Sequence, residues 1–556
     1  MNFNTILDFI YNLSEREIKF WIFENNIKLF VPETVYLTEK DKQFLMFNKN
    51  EIMELLNRNQ IFLKENDLFM FKTDYQNVPL SFGQQGIKFI DRHEGGSNAF
   101  NVFMFFKILG STKMDILENS IRDMISRHEI LRTLIKEDSK GNYYQHVLDN
   151  HDYKFEIQKI KVTDQEKLEE ELKKESHYVY NLSDEILIKV YSLETNDQEK
   201  YLSVVIHHIA FDGWSMDIFL KELKELYRNN LAISRGLEST LALPKLTIQY
   251  KDFAIWQRCY LSGKRLDSQL GYWKNKLANY NSLNIIPDKE RPKQLSYEGA
   301  NIYFELNKEL SIGLKEFAQD LKVSLYSLLL SGYYLMLRSY SKQDDIVIGT
   351  PIANRNYSQI QELIGFFINT LVLRKEIDNK NLVKDFIQEV GREIIEAQSY
   401  QELPFEKIVK EIASLKDTSK HPIFQVMFSL QNFGNNLSED LDDFIIPYQP
   451  KNEIYSPAKC DFSFYIDDSK DYLKGVVNYS VNLYEEKTIR NFIETYVHIL
   501  TQFCLIHKNK DKKDSLKISD LSYLNDVQQR KIIYEWNNTD IDFLIIKHYS
   551  NYLKSK

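Results

Sequence analysis

The chain has 556 residues, 43% of them hydrophobic and 27% charged, a globular composition that excludes disordered and fibrous classes. Its length favours two or more packed units, since single cores seldom grow past about 250–300 residues. With 71 Lys and Arg against 80 Asp and Glu the net charge is -9 and no basic stripe or tail is present, which excludes a general nucleic-acid binder.

From the N-terminus, Ile6 to Leu13 reads as a short helix, and the apolar runs Ile18 to Phe23 and Ile27 to Val31 flank Glu24-Asn25-Asn26 as a β-hairpin does. Thr38 is the expected N-cap of a helix over Glu39 to Phe47, and Asn50 of one over Glu51 to Leu56. Residues 1–57 are therefore expected to form an α-β-β-α-α unit, followed by a connector over 58–77. The first ten residues lack the basic start and long apolar core of a secretory signal.

Beyond Pro79, helical and extended patterns alternate, giving an α/β or α+β class. Met114 to Arg127 repeats Leu117, Ile121, Met124 and Ile125 at helical spacing, and Tyr201 to His208 reads as a buried strand. Leu325 to Leu337 is the longest uncharged apolar run, too short to span a bilayer, and reads as a buried helix. Cys259, Cys460 and Cys504 are too far apart for a metal motif and odd in number, which fits a reducing cytosol.

The sharpest chemical signal is His207-His208-Ile209-Ala210-Phe211-Asp212-Gly213 at the end of the strand. Alternation along a strand points the two histidines to opposite faces, with His208 on the face of Leu202, Val204 and Ile206. A histidine where a buried strand meets a loop can accept a proton near neutral pH. From the pair alone, a proton acceptor and a satisfied buried side chain are equally good readings. A zinc site is disfavoured, because no further ligands converge on the pair.

The heptad resembles the HHxxxDG signature of nonribosomal peptide synthetase condensation domains, followed here by Trp214-Ser215 as in their peptide-bond-forming members. Other blocks of that family recur in order: Ser81 and Gln84, Arg127 to Thr133, Tyr250 to Trp256, Ile364 to Thr370 ending at Arg374, Gln401 to Glu406, and in part Lys420 to Phe424. The resemblance covers about residues 78 to 515. The first block departs from it, with Gly83 for the usual Ala, Gly86 for Arg and Lys88 for an aromatic residue. Arg127, Glu129 and Arg132 are expected to tie a helix end to the next strand, and Trp256 and Phe366 to be core or lobe-contact aromatics.

The resemblance implies two chloramphenicol-acetyltransferase-like lobes forming a V, over 78–245 and 246–515, with the site in a tunnel between them. It implies amide formation between a donor aminoacyl or peptidyl thioester and the amine of an acceptor aminoacyl thioester. Both substrates would ride on phosphopantetheine arms of upstream and downstream carrier proteins, with no cofactor or metal held by the chain itself. His208 and Gly213 would be catalytic, and His207, Asp212, Arg355, Trp214 and Asn369 supporting, with Asp212 paired to Arg355 as architecture. Gly213 would allow close approach to the reacting groups or a tight turn.

Residues 1–57 resemble the docking domain of tubulysin-synthetase-type subunits and would receive the C-terminal tail of an upstream subunit, unless they merely cap the first lobe. Residues 516–556, with Leu521 to Leu524 and Glu535 to Thr539, resemble the start of a linker toward an adenylation domain that the chain lacks. A cytoplasmic protein without nucleic-acid or membrane partners is expected. The alternatives are a coenzyme A-dependent acyltransferase, which has a later Asp-Phe-Gly-Trp-Gly motif not found here, and a non-catalytic recruitment domain. Epimerisation and heterocyclisation domains fit the heptad and its flank less well.

Overall fold

The computed structural model describes residues 5–16, 18–24, 26–32, 35–59, 61, 70–94, 96, 98–239, 243–412, 419–431, 444–452, 454–509 and 514–535. Asn25 of the expected hairpin loop, much of the 58–77 connector and Trp536 to Thr539 of the linker motif lie outside the described residues.

The N-terminal order is helix Thr5–Glu15, strands Lys19–Phe23 and Asn26–Phe30, and helices Glu39–Phe47 and Lys49–Arg58. The strands pair antiparallel, from Lys19 opposite Phe30 to Phe23 opposite Asn26. Thr38 starts its helix through a reciprocal cap: its hydroxyl accepts the Asp41 N–H at 3.1 Å and the Asp41 carboxylate accepts the Thr38 N–H at 2.8 Å. Asn50 is not a cap. The last helix already begins at Lys49, and the boundary residue Asn48 donates its side-chain amide back to the Phe44 carbonyl at 2.9 Å. One asparagine thus ends one helix and precedes the next. Leu7, Ile10, Leu13, Ile52 and Leu56 belong to the same apolar cluster as the first lobe.

The first lobe is built on a five-stranded sheet in the order Ile445–Pro447, Asn101–Ile108, Lys200–His207, Ile188–Glu194, Gln158–Lys161. All pairs are antiparallel except the last. Lys200–His207 lies inside this sheet and is buried from Tyr201 onward, which explains a run of apolar residues without clean alternation. The expected helices form: Met114–Arg127 buries Leu117, Ile121, Met124 and Ile125, and Leu325–Ser341 buries every residue from Ser327 to Leu337.

The second lobe carries a six-stranded sheet in the order Gly299–Glu305, Lys474–Ser480, Phe462–Asp467, Val426–Gln431, Asp345–Ile352, Asn369–Glu376. It has its own apolar cluster, which extends to Ile518 and Leu521. The mixed fold with two large sheets therefore stands as expected. Two segments cross between lobes. Ile360, Leu363, Ile364 and Phe367, between the last two strands of the second sheet, belong to the first cluster. Ile445–Pro447 pairs with Phe106 to Ile108 of the first sheet, and a proline is tolerated on such an edge.

Glu175 ends the helix Gln165–Ser176 beneath the first sheet, 4% exposed, and among the described residues its carboxylate has the Ser203 hydroxyl beside it and no ion pair. Burial pushes its carboxyl up to about 7, against about 4.3 in an unfolded chain. Below the lower value both states hold the proton; between the two only the folded state does, so stability falls as pH rises through that window and is level above it. Glu175→Gln is expected to raise stability by about 1–3 kcal/mol at pH 8 and to change little at pH 4. Thermal melts at the two pH values check this; a gain equal at both would contradict it.

Among the described residues no helix is long and apolar enough to cross a membrane, and no three His, Cys, Asp or Glu side chains group as a metal site would require.

Candidate active site

His207 is the last ladder residue of its strand, opposite Asn101. His208 begins a single 3-10 turn, His208–Ala210. The expectation that His208 shares a strand face with Leu202, Val204 and Ile206 is therefore corrected: the chain has left the pleat, and the turn sets the direction of the imidazole. The His208 N–H donates to the Phe100 carbonyl at 2.7 Å, anchoring the turn to the neighbouring strand.

The two imidazoles have different surroundings. His207 is 1% exposed, packs edge-on against Tyr180, and accepts the Ile209 N–H on Nδ1 at 3.2 Å. His208 is half-buried, edge-on to Phe366 with ring centroids 5.1 Å apart, and its Nδ1 lies 2.5 Å from the Phe211 carbonyl oxygen. A carbonyl can only accept, so Nδ1 carries the proton and Nε2 keeps its lone pair for a proton from elsewhere. Burial first, and then the nearby Lys459 charge, push His208 down to about 3, against the bond to Phe211. Burial likewise holds His207 at about 3. Both rings are neutral at cellular pH.

Asp212 lies below the turn as N-cap of the helix Gly213–Ser234, accepting the Ser215 N–H at 2.9 Å and hydroxyl at 2.7 Å. Its other oxygen accepts the Phe367 N–H at 3.0 Å. Arg355 donates to Asp212 at 2.9 Å and to the Ile360 and Leu363 carbonyls at 2.7 Å each, with both side chains of the ion pair at most 2% exposed. Asp212 and Arg355 thus bind the start of a first-lobe helix to the crossing loop of the second lobe. Ser215 joins the network through the Gly365 backbone, at 3.0 and 3.1 Å.

Gly213 does not make a left-handed turn. It is the first residue of its helix, is absent from the positive-φ glycines, and a Cβ there would meet nothing within 4 Å. Nothing in the protein demands a glycine at 213; the space beside it is open. Trp214 donates Nε1–H to the Gln361 carbonyl at 3.1 Å, pinning the same crossing loop. Asn369 directs its bonds elsewhere, donating to the Gln401 and Leu403 carbonyls at 2.9 Å each and accepting the Phe405 N–H at 3.0 Å. It fastens the block Gln401 to Glu406 to the strand and does not touch His208.

Four residues have roles that escaped sequence reasoning. Phe366, expected as a core or lobe-contact aromatic, borders the His208 ring. Tyr250 holds it there, donating its hydroxyl to the Phe366 carbonyl at 2.7 Å. Gly83 has a physical reason, since a Cβ at that position would lie 2.8 Å from the Phe366 ring, and the Glu406 side chain fills the space beside Gly86. Among the other blocks, Arg127 and His128 both reach Glu222, at 3.0 and 2.7 Å, and Glu129 pairs with Lys251 at 2.8 Å. These contacts are structural, and Trp256 stacks on Tyr260 in the first core.

Comparison with known proteins adds an independent line. Residues 75–533 match the family model described as Condensation domain. The chain is 35% identical over 431 residues to N-(5-amino-5-carboxypentanoyl)-L-cysteinyl-D-valine synthase of Amycolatopsis lactamdurans, covering 78% of this chain and 11% of that protein. It is 30% identical over 466 residues to gramicidin S synthase 2 of Brevibacillus brevis, covering 84% and 10%. The chain therefore spans about a tenth of the length of these relatives. In fold it matches the X-domain in the complex with OxyB from teicoplanin biosynthesis, with TM-score 0.71, 23% identity, and coverage of 83% of this chain and 98% of that one. It also matches holo-AB3403, a four-domain nonribosomal peptide synthetase bound to AMP and glycine, with TM-score 0.69, 21% identity, and coverage of 82% and 34%.

Proposed function

The chain belongs to the condensation-domain family, and on that premise we propose that it forms an amide bond between a donor aminoacyl or peptidyl thioester and the amine of an acceptor aminoacyl thioester. The observation that carries this reading is His208: half-buried beside the crossing loop, with Nδ1–H committed to the Phe211 carbonyl and Nε2 left as a proton acceptor. The open space at Gly213 leaves room beside it for the thioester ends of two phosphopantetheine arms, which upstream and downstream carrier proteins supply. A free α-amine has a pKa of about 8, so an appreciable fraction is neutral at cellular pH. His208 Nε2 then accepts a hydrogen bond from that amine and orients it, taking the proton only as the developing oxyanion offsets the burial that holds the free imidazole at about 3, and holding the two reactants together can supply about 7–11 kcal/mol. The test exchanges carriers for coenzyme A. Amide product is expected on the acceptor carrier when the donor is carrier-bound; product formed only from coenzyme A thioesters would favour the acyltransferase reading, and none from either would favour a recruitment domain. Among the described residues the three cysteines form no disulfide, which fits a cytosolic setting.

The N-terminal unit, which precedes the family match, completes the proposal as the receiver of an upstream subunit's C-terminal tail. What supports this is the hairpin's outer edge. The Ile22 N–H turns away from its partner strand to the Ile61 carbonyl at 2.9 Å, so Ile22 and Ile27 are a non-hydrogen-bonded pair. By alternation the backbone groups of Ile27 and Leu29 point outward, where an extended peptide can add as a strand. Lys28 is exposed on the same strand, and with Lys19 it favours an acidic tail. Leu29→Pro removes one outward N–H. It is expected to weaken transfer from the full upstream subunit at least tenfold while excised carriers at high concentration react as before, because tethering acts through effective concentration. Equal loss in both assays would make this segment a cap of the first lobe instead.

A further inference from the structure

Lys459 lies where the second crossing segment, having lent Ile445–Pro447 to the first sheet, returns to the second sheet before Phe462. Its neighbours fix it in place: Ala458 and Cys460 are buried, and the Ala458 N–H donates to the Tyr297 carbonyl at 3.0 Å. The side chain is half-buried, with Nζ 4.7 Å from the centre of the Phe100 ring. The Phe100 carbonyl is the one that accepts the His208 N–H, so both lysine and histidine are attached to the same residue from opposite lobes.

This ammonium has no carboxylate or hydrogen-bond acceptor among the described residues. The more deeply buried lysines do: Lys375 pairs with Glu389 and Glu393 at 2.9 and 3.0 Å, and Lys251 with Glu129 at 2.8 Å. The adjacent carboxylate, Asp461, is committed to Arg291 at 2.8 Å. A half-buried cation without a counter-ion gives up part of its hydration with nothing in return, and a site for an anion that exists only during reaction accounts for it.

We propose that the Lys459 ammonium faces the reacting carbonyl oxygen beside His208 and stabilises the oxyanion of the tetrahedral intermediate. The inference rests on the condensation reading. The amine nitrogen bonds to the thioester carbon, the C=O π pair moves onto oxygen opposite Lys459, and a proton of the attacking nitrogen, now cationic, passes to His208 Nε2. The C=O then re-forms, the C–S bond breaks, and the departing sulfur takes the proton from His208, leaving an amide and a free thiol. Lys459 transfers no proton; its charge acts throughout.

The charged or titratable groups around this centre are few. The Lys459 charge acts on both His208 and His207, the Lys88 charge acts on His207, Cys460 adjoins Lys459, and Glu406 beside Gly86 and the Asp212–Arg355 pair below the turn complete the set among the described residues. Burial lowers Lys459 to about 8, so its charge is lost as pH rises through that value. The parental kcat is expected to decline above about pH 8. Lys459→Arg, whose guanidinium stays charged, is expected to retain at least about a third of the parental kcat at pH 7.5 and to lose that alkaline decline. Lys459→Met is expected to lower kcat about 10²-fold with KM within about threefold.

A readout that needs no turnover runs beside these: the ¹³Cε1 resonance of His208, assigned by its loss in His208→Ala, should titrate at higher pH in Lys459→Met than in the parent. A parental kcat in Lys459→Met, an unchanged alkaline limb in Lys459→Arg, or an unmoved His208 titration would each overturn the proposal. A parental protein that joins no loaded carriers would sink the condensation reading instead, and the resonance alone would then decide whether Lys459 faces His208.

Discussion

His208→Ala is expected to slow condensation by about 10²–10⁴-fold while leaving the fold intact, the usual cost of deleting a positioned acid-base group. The physical case is local. The imidazole is half-buried, so its removal opens no large core cavity, and the backbone turn is held by the His208 N–H on the Phe100 carbonyl, which alanine keeps. What disappears is the Nε2 lone pair, whose availability depends on Nδ1–H being held by Phe211. His207→Ala is expected to differ in kind. That ring is buried against Tyr180 and accepts the Ile209 N–H, so its loss acts through stability, at about 1–3 kcal/mol for the orphaned donor. Single-turnover rates with loaded carriers, beside thermal melts, separate the two. A parental rate in the His208 variant would remove His208 from the mechanism.

Asp212→Ala and Arg355→Ala are expected to cost roughly 3–5 kcal/mol each in stability, the penalty for stranding one charge of a buried pair. Here the stranding is severe. Without Asp212 the Arg355 guanidinium keeps backbone carbonyls, Ser215 and the Phe367 ring but no carboxylate, and the Ser215 and Phe367 N–H groups lose their acceptor. Without Arg355 the Ile360 and Leu363 carbonyls lose their donor and the crossing loop its anchor. The double variant is expected to lose less than the sum of the singles, because the second removal leaves no charge stranded and adds only the backbone groups that its own side chain served. Chemical denaturation of the four proteins checks it; losses that simply add would show two independent sites.

How much could be read from the chain alone depended on how local each feature is. The heptad His207 to Gly213 is contiguous, so its candidates could be named from the sequence, and the Thr38 cap was legible because both halves of the bond lie within three residues. Asn50 misled for the complementary reason: two asparagines, Asn48 and Asn50, stand at that boundary, and the spacing alone does not tell which of them precedes the next helix. The pleat argument for His208 ran one residue too far, because where a strand ends depends on its neighbour's pairing. Gly213 suggested a turn, and the fold instead spends it on an open helix start. Lys459 carried no sequence signal. It reaches Phe100 from far along the chain through a crossing that rests on the three-residue strand Ile445–Pro447, and the Tyr250 bond to the Phe366 carbonyl spans 116 residues. Contacts between lobes are tertiary facts that periodicity does not encode.

The most direct test of the central claim is intact-protein mass spectrometry of an acceptor carrier after both loaded carriers are mixed with this protein. The expected result is an acceptor heavier by the donor acyl group, formed in step with release of the free-thiol donor carrier, and strongly slowed with His208→Ala. Acceptor and donor carriers that keep their original masses, in the presence of folded protein, would contradict it.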